Sequence, residues 1–248
     1  MNNISKNKNG LILPGKWTVE ELDYIIHEAC SIRDVGERIY FLSRQFLAVT
    51  YKDSTLIGDI NTSEVFVVNL EEVDCFTFVE YVEAMRLSDS FSEFINNLKK
   101  IRYCAGVVSF EKRNHFFTDW MEYHSGFVEE VTEMIGGAKT LRVRKRLNLK
   151  KDGTYFIPGI GHKDREIKYI QANTIDSLIM DKLKTGDYIG IYSEEDGLDV
   201  SHVGIIIKIG DRICLRHASS SASNRKVIDE EFKGYIDKKP GIIVLRPK

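Results

Sequence analysis

The chain has 248 residues, enough for one large domain or two small ones, and 43% of them are hydrophobic, so a sizeable core can be buried. Its 35 basic and 37 acidic side chains nearly cancel, which argues against a general nucleic-acid binder with a basic excess. No run approaches the ~20 apolar residues that span a bilayer, and MNNISKNKNGLILPGKW lacks the ~7–15-residue apolar core of a secretory signal, so the chain reads as cytosolic or as a mature form.

Residues 18–48 read as helices. TVEELDYIIHEAC opens with a capping box, Thr18 followed three residues on by Glu21. VGERIYFLSRQFLAV continues with Ile39, Leu42, Phe46 and Leu47 at helical spacing. YKDSTLIG is a loop, and the valine-rich EVFVVNL, 64–70, is a strand. From Cys75, VDCFTFVEYVEAMRL predicts a helix with one apolar face formed by Phe78, Val79, Val82 and Met85. FSEFINNLKKIRY predicts a second amphipathic helix. RNHFFTDWMEYHSGFVEEVTEMIGG has no clean period and reads as a long excursion.

TLRVRKRLNLK alternates like a strand. A short helix near 178–184 precedes the strand GDYIGIYS. SHVGIIIKIGDRICLRHASS and GIIVLRP complete a second half of short strands. Helices first and strands later predict an α+β fold. There is no repeat or flexible linker, so residues 1–248 read as one domain, with 18–48 as a helical N-terminal extension within it.

The cysteines stand at 30, 75, 104 and 214, with no CxxC pair, which makes a zinc ribbon or thioredoxin-type motif unexpected. Cys30, Cys104 and Cys214 read as structural. Cys75 differs, because it follows Asp74 at a helix start, where the dipole and free amides favour thiolate. Asp74 itself reads as the helix cap, a role compatible with binding a substrate amine.

SHVGIIIKIGDRICLRHASS predicts a hairpin with a two-residue loop at Gly210-Asp211. Counted outward, Gly204 faces His217 and His202 faces Ser219. The two histidines then share a sheet face as diagonal neighbours about 7–8 Å apart at the backbone. A loop of three or five residues would separate them onto opposite faces. Two histidines on one face can act as base and orienter for a thiol. Cys75, His202 and His217 are thus the candidate catalytic set. As metal ligands the same three fall short of the four that a structural zinc site uses, and no metal or cofactor is expected. In RNHFFTDW the aromatic residues form either a satellite core or a substrate wall. In the second case Trp120 lines it and Arg113 reads a carboxylate. Asp199 reads as a loop residue.

The order of DCFTFVE, GLDVSHVGI and LRHAS resembles the NlpC-type papain-like cysteine peptidases, and within them the N-acetylmuramoyl-L-alanine amidase-like family. ERIYFLSRQFLAVTYKDSTLIG, RNHFFTDW, LKTGDYIGIYS and GIIVLRP occur in the same order, from about residue 37 to the C-terminus. The resemblance implies a permuted papain-like core, an antiparallel sheet packed on the nucleophile helix, and hydrolysis of an amide in peptidoglycan peptides. It assigns Cys75 as nucleophile, His202 as base, His217 as orienter and Tyr51 as a substrate contact. Phe76 departs from the family's small residue after the cysteine.

The expected partner is peptidoglycan or a muropeptide, with no nucleic acid and no membrane insertion. The family is usually exported, which leaves the compartment open. Three alternatives stay open beside the amidase: a γ-D-glutamyl-diamino acid endopeptidase, an inactive muropeptide-binding module and a metal-binding protein.

Overall fold

The computed structural model describes residues 5–7 and 10–248. The chain divides into two compact units: the N-terminal stretch to Asn114 together with Arg216–Ile228, and His115–Leu215 together with Asp229–Lys248.

The first unit begins with an antiparallel pair, β1 (Ser5–Asn7) and β2 (Gly10–Leu13), followed by α1 (Val19–Cys30) and α2 (Val35–Arg44). Thr18 and Glu21 form the expected capping box, and Asp34 caps α2 by accepting from the Glu37 amide. Then come β3 (Thr50–Tyr51), β4 (Val67–Asn69), β5 (Glu72–Val73), α3 (Cys75–Arg86) and α4 (Phe91–Arg102). The strand expected over 64–70 is thus only three residues long, and it runs parallel to β2. A second short parallel pair, β3 with β5, sets Tyr51 opposite Val73.

α4 is amphipathic as its spacing predicts, burying Phe94, Ile95, Leu98 and Ile101. Each such side chain contributes roughly 1.5–3 kcal/mol on leaving water. α3 departs from the single apolar stripe expected of it, because every residue from Thr77 to Arg86 is buried. Its polar positions are neutralised internally. Glu80 pairs with Arg102 at 2.7 Å and Glu83 with Arg86 at 2.6 Å. The Arg102 guanidinium also lies 5.4 Å from the Tyr81 ring centroid, and the Tyr81 hydroxyl accepts from the Asn69 amide at 2.9 Å. The Glu80–Arg102 pair and the Tyr81 bond tie the middle of α3 to α4 and β4.

The second unit contains α5 (Asp119–Tyr123), β6 (Val128–Glu130), α6 (Thr132–Gly136), β7 (Thr140–Leu147), β8 (Lys163–Gln171), α7 (Ser177–Lys182), β9 (Tyr188–Tyr192) and β10 (Val200–Ile209). β11 (Arg212–Ala218) and β12 (Val227–Glu231) carry the chain across the unit boundary and back, and α8 (Phe232–Ile236) and β13 (Gly241–Pro247) end it. The antiparallel sheet follows the order β11-β10-β9-β13-β8-β7, with β6 beside β13 and β12 beyond β11. β10 and β11 are joined by the expected two-residue loop, with Gly210 in the left-handed conformation at φ 56°. Ile189, Ile191, Ile206, Leu215, Ile242 and Val244 from this sheet pack with Phe232 and Ile236 of α8 into one core. Mixed helix and antiparallel sheet agree with the α+β expectation.

Candidate active site

Cys75 is the first residue of α3, and it is half-buried. Asp74 caps the helix. Its carboxylate accepts from the Phe76 amide at 3.0 Å and the Thr77 amide at 2.7 Å, while its own amide donates to the Thr77 hydroxyl at 3.0 Å. The capping role read from the sequence is therefore present. It orients the first turn and leaves Cys75 at the mouth of a buried helix.

Tyr51 lies beside this turn. β3 runs next to β5, the strand that leads directly into Asp74. The Tyr51 hydroxyl donates to Asp53. Burial pushes the Tyr51 hydroxyl up, the Asp53 bond pushes further, and the charges of Cys75 and Asp74 add to both. The tyrosine therefore holds its proton across the neutral range. Arg225 stacks on the same ring at 5.1 Å, its guanidinium lies 3.7 Å from Asp53, and its carbonyl accepts from the Tyr51 amide at 2.9 Å. Asp53 and Arg225 were not singled out by sequence reasoning. For Asp53 the signal is the Tyr51–Asp53 spacing of two, which puts both on one side of an extended segment. For Arg225 there is none, since it comes from a loop 174 positions away.

His217 lies in the part of β11 that belongs to the first unit, and it is buried. Its neighbour Arg216 donates to the Ser43 hydroxyl at 3.0 Å and stacks on Tyr40 at 5.3 Å, which locks this short segment. Arg113, also in the first unit, is bound to both carboxylate oxygens of Glu64 and stacks on Phe110 at 5.4 Å. The Tyr103 hydroxyl donates to the same carboxylate at 2.7 Å.

His202 belongs to the second unit. It is half-buried, with its ring 6.3 Å from that of Tyr235. Immediately before it β10 is bulged: Val200 pairs with Tyr192 and His202 with Ile191, so Ser201 is the extra residue. A bulge re-aims the side chains around it and increases local twist. The bulge has an anchor. Asp199 is buried and accepts from the Thr118 amide at 2.7 Å and the Val200 amide at 2.8 Å. Burial pushes the Asp199 carboxyl up, and these bonds oppose that. Gly190 opposite Val203 has no room for a side chain, because a Cβ would sit 2.7 Å from the Phe117 ring. Trp120 is fully buried next to it, edge-on to Tyr188 at 5.6 Å.

Cys75, Asp74 and Tyr51 are thus brought together in the first unit, which also holds His217, while His202 has its own anchored position in the second. All four cysteines are free thiols. Among the described residues no group of three or more His, Cys, Asp or Glu is placed to hold a metal ion, and no helix is long and apolar enough to cross a membrane.

Residues 41–242 match the family model described as N-acetylmuramoyl-L-alanine amidase-like. Among solved structures, an N-acetylmuramoyl-L-alanine amidase from Bacteroides uniformis is similar at 30% identity with a TM-score of 0.70, covering 86% of this chain and 99% of that one. A protein from Legionella pneumophila shares the fold at 22% identity with a TM-score of 0.78, over 92% of this chain and 94% of that one. No curated protein matches the sequence.

Proposed function

The chain belongs to the N-acetylmuramoyl-L-alanine amidase-like family, and from that premise we propose that it is a thiol hydrolase cutting the amide between N-acetylmuramic acid and L-alanine in peptidoglycan. The observation that carries this reading is the placement of Cys75. It is half-buried on the first residue of a capped helix that is buried from Thr77 onward, close enough to Tyr51 for its charge to act on that hydroxyl. The amidase from Bacteroides uniformis supports the choice of bond. We assign the core to the permuted papain-like, NlpC-type arrangement on the same grounds.

In the reaction, Cys75 Sγ attacks the amide carbonyl while His202 accepts the thiol proton. Backbone donors, the Cys75 N–H among them, stabilise the oxyanion. Collapse breaks the C–N bond, and the imidazolium of His202 returns the proton to the departing amine of L-alanine. The muramoyl group is left as a thioester on Cys75. Water then attacks the thioester with His202 as base, releasing the carboxylate and restoring the thiol. His217 orients the His202 imidazole. Its burial suits that task, since an orienting group must itself be held still. Tyr51 contacts substrate next to the nucleophile, and Asp74 sets the helix start. Arg113 and Trp120 belong to the framework, one committed to Glu64 and the other without exposed surface.

Defined muropeptides incubated with the enzyme and with Cys75→Ala, followed by mass spectrometry, test this. The expected product of the unaltered enzyme is a stem peptide with a new N-terminal L-alanine, lost in the variant. Equal products from both remove Cys75 from the mechanism. A new amine on the diamino acid moves the cut to the D-glutamyl bond and overturns the amidase assignment.

A further inference from the structure

The loop over residues 219–226 leaves β11 just after His217, and it is pinned along β3. The Ser219 amide donates to the Lys226 carbonyl at 3.0 Å, the Arg225 amide to the Ser221 carbonyl at 2.9 Å, and the Tyr51 amide to the Arg225 carbonyl at 2.9 Å. Thr50 and Lys226 form an antiparallel bridge between the two segments. All of these residues belong to the first unit. Arg225 is held there in the left-handed region, at φ 40°. A residue with a Cβ adopts that region at a cost, which persists only where the surroundings over-determine it, and such positions cluster where ligands are held.

The side chain is placed from two directions. Its guanidinium lies 5.1 Å from the Tyr51 ring centroid and 3.7 Å from the Asp53 carboxylate. The second contact is too long for a hydrogen bond, and the other Asp53 oxygen is taken by the Tyr51 hydroxyl. Half of the Arg225 side chain stays exposed. Other arginines of the unit differ. Arg86 is bonded to Glu83, Arg102 to Glu80 and Arg113 to Glu64, each glutamate being buried. Those three hold the framework, whereas Arg225 offers solvent a planar, permanently charged fork.

Tyr51 connects this guanidinium to the thiol. The charge of Cys75 acts on the Tyr51 hydroxyl, and Arg225 covers the ring of the same residue. A peptide that brings its scissile carbonyl to Cys75 and passes along Tyr51 therefore meets Arg225 next. The group that a guanidinium fork binds best is a carboxylate, through two parallel hydrogen bonds. In a stem peptide the γ-linkage of D-glutamate leaves its α-carboxylate free, one residue beyond the amide of L-alanine.

We propose that Arg225 is a specificity-determining residue that binds a free carboxylate of the substrate peptide beside Tyr51. Identifying that group as the D-glutamyl α-carboxylate rests on the amidase reading. Peptides in which this carboxylate is amidated are then poorer ligands. An arginine that served only to brace Tyr51, or to favour the thiolate, would act on both kinds of peptide alike.

Calorimetric titration of the full-length Cys75→Ala protein with two muramoyl tripeptides tests this, the D-glutamyl α-carboxylate being free in one and amidated in the other. The free carboxylate is expected to bind about tenfold tighter or more, the scale of a charge-assisted hydrogen bond. Arg225→Gly removes the guanidinium while glycine accepts the left-handed backbone, and it should bring the two affinities within about twofold of each other. Arg225→Lys keeps the charge but not the fork, so its preference should fall between, and it carries the comparison alone should the glycine variant not fold. Equal binding of both peptides before Arg225 is changed, or a preference that survives its replacement undiminished, overturns the proposal. So does failure to bind either peptide. These affinities do not depend on which bond is cut, so a cut at another bond in the cleavage assay would overturn the amidase reading and leave the binding comparison readable.

Discussion

Asp199 is a single buried carboxylate with two backbone amides to satisfy, and its position determines how β10 begins ahead of His202. Burial raises its carboxyl above the ordinary aspartate value of 3.8. A folded-state value above the unfolded one means that its contribution to stability is fully present at acid pH and is lost as pH rises through the folded value. Asn at this position keeps an acceptor oxygen and does not titrate. The stability advantage of the unaltered protein over Asp199→Asn should therefore shrink as pH rises above the ordinary aspartate value of 3.8. Urea denaturation at a series of pH values reads this, and an advantage that grows with pH contradicts it. None of this was legible in GLDVSHVGI. A bulge exists only relative to a partner strand, and the partner amide at Thr118 is 81 residues away.

At the scale of elements, α3 was readable where its determinants are local and misread where they are not. Asp74 followed by the helix start at Cys75 is a local signal, and the cap forms as expected. Burial of the whole helix depends on Arg102 reaching Glu80, a pairing across 22 positions that no helical period reveals. The cap gives a separable test. Asp74→Ala should cost about 0.5–2 kcal/mol of stability, the usual loss for an N-cap, while Asp74→Asn, which still accepts from the amides, should cost much less. Thermal or urea denaturation measures both. Equal losses for the two variants would mean that the charge of Asp74, rather than its capping bonds, holds the turn.

For the whole molecule, the order of helices and strands, the hairpin loop at Gly210-Asp211 and the family likeness could all be read from the sequence, because each rests on periodicity, turn chemistry or a short motif. The division into two compact units could not. Its boundaries cut β11 and β12 in mid-strand, where composition does not change. Arg113 and Trp120 stood out chemically in RNHFFTDW, yet the partner and the burial that explain them are tertiary.

The four free thiols permit the most direct measurement of the central claim, that Cys75 is the nucleophile. Cys214 is buried, and burial pushes the Cys30 thiol up, making it a poor target for alkylation. The enzyme is treated with sub-stoichiometric iodoacetamide, the modified cysteines are located by peptide mass spectrometry, and residual muropeptide hydrolysis is measured on the same samples. The account predicts that activity falls in direct proportion to the fraction of Cys75 alkylated, whatever the state of Cys30 and Cys104. Full hydrolysis by protein whose Cys75 is completely alkylated would contradict it.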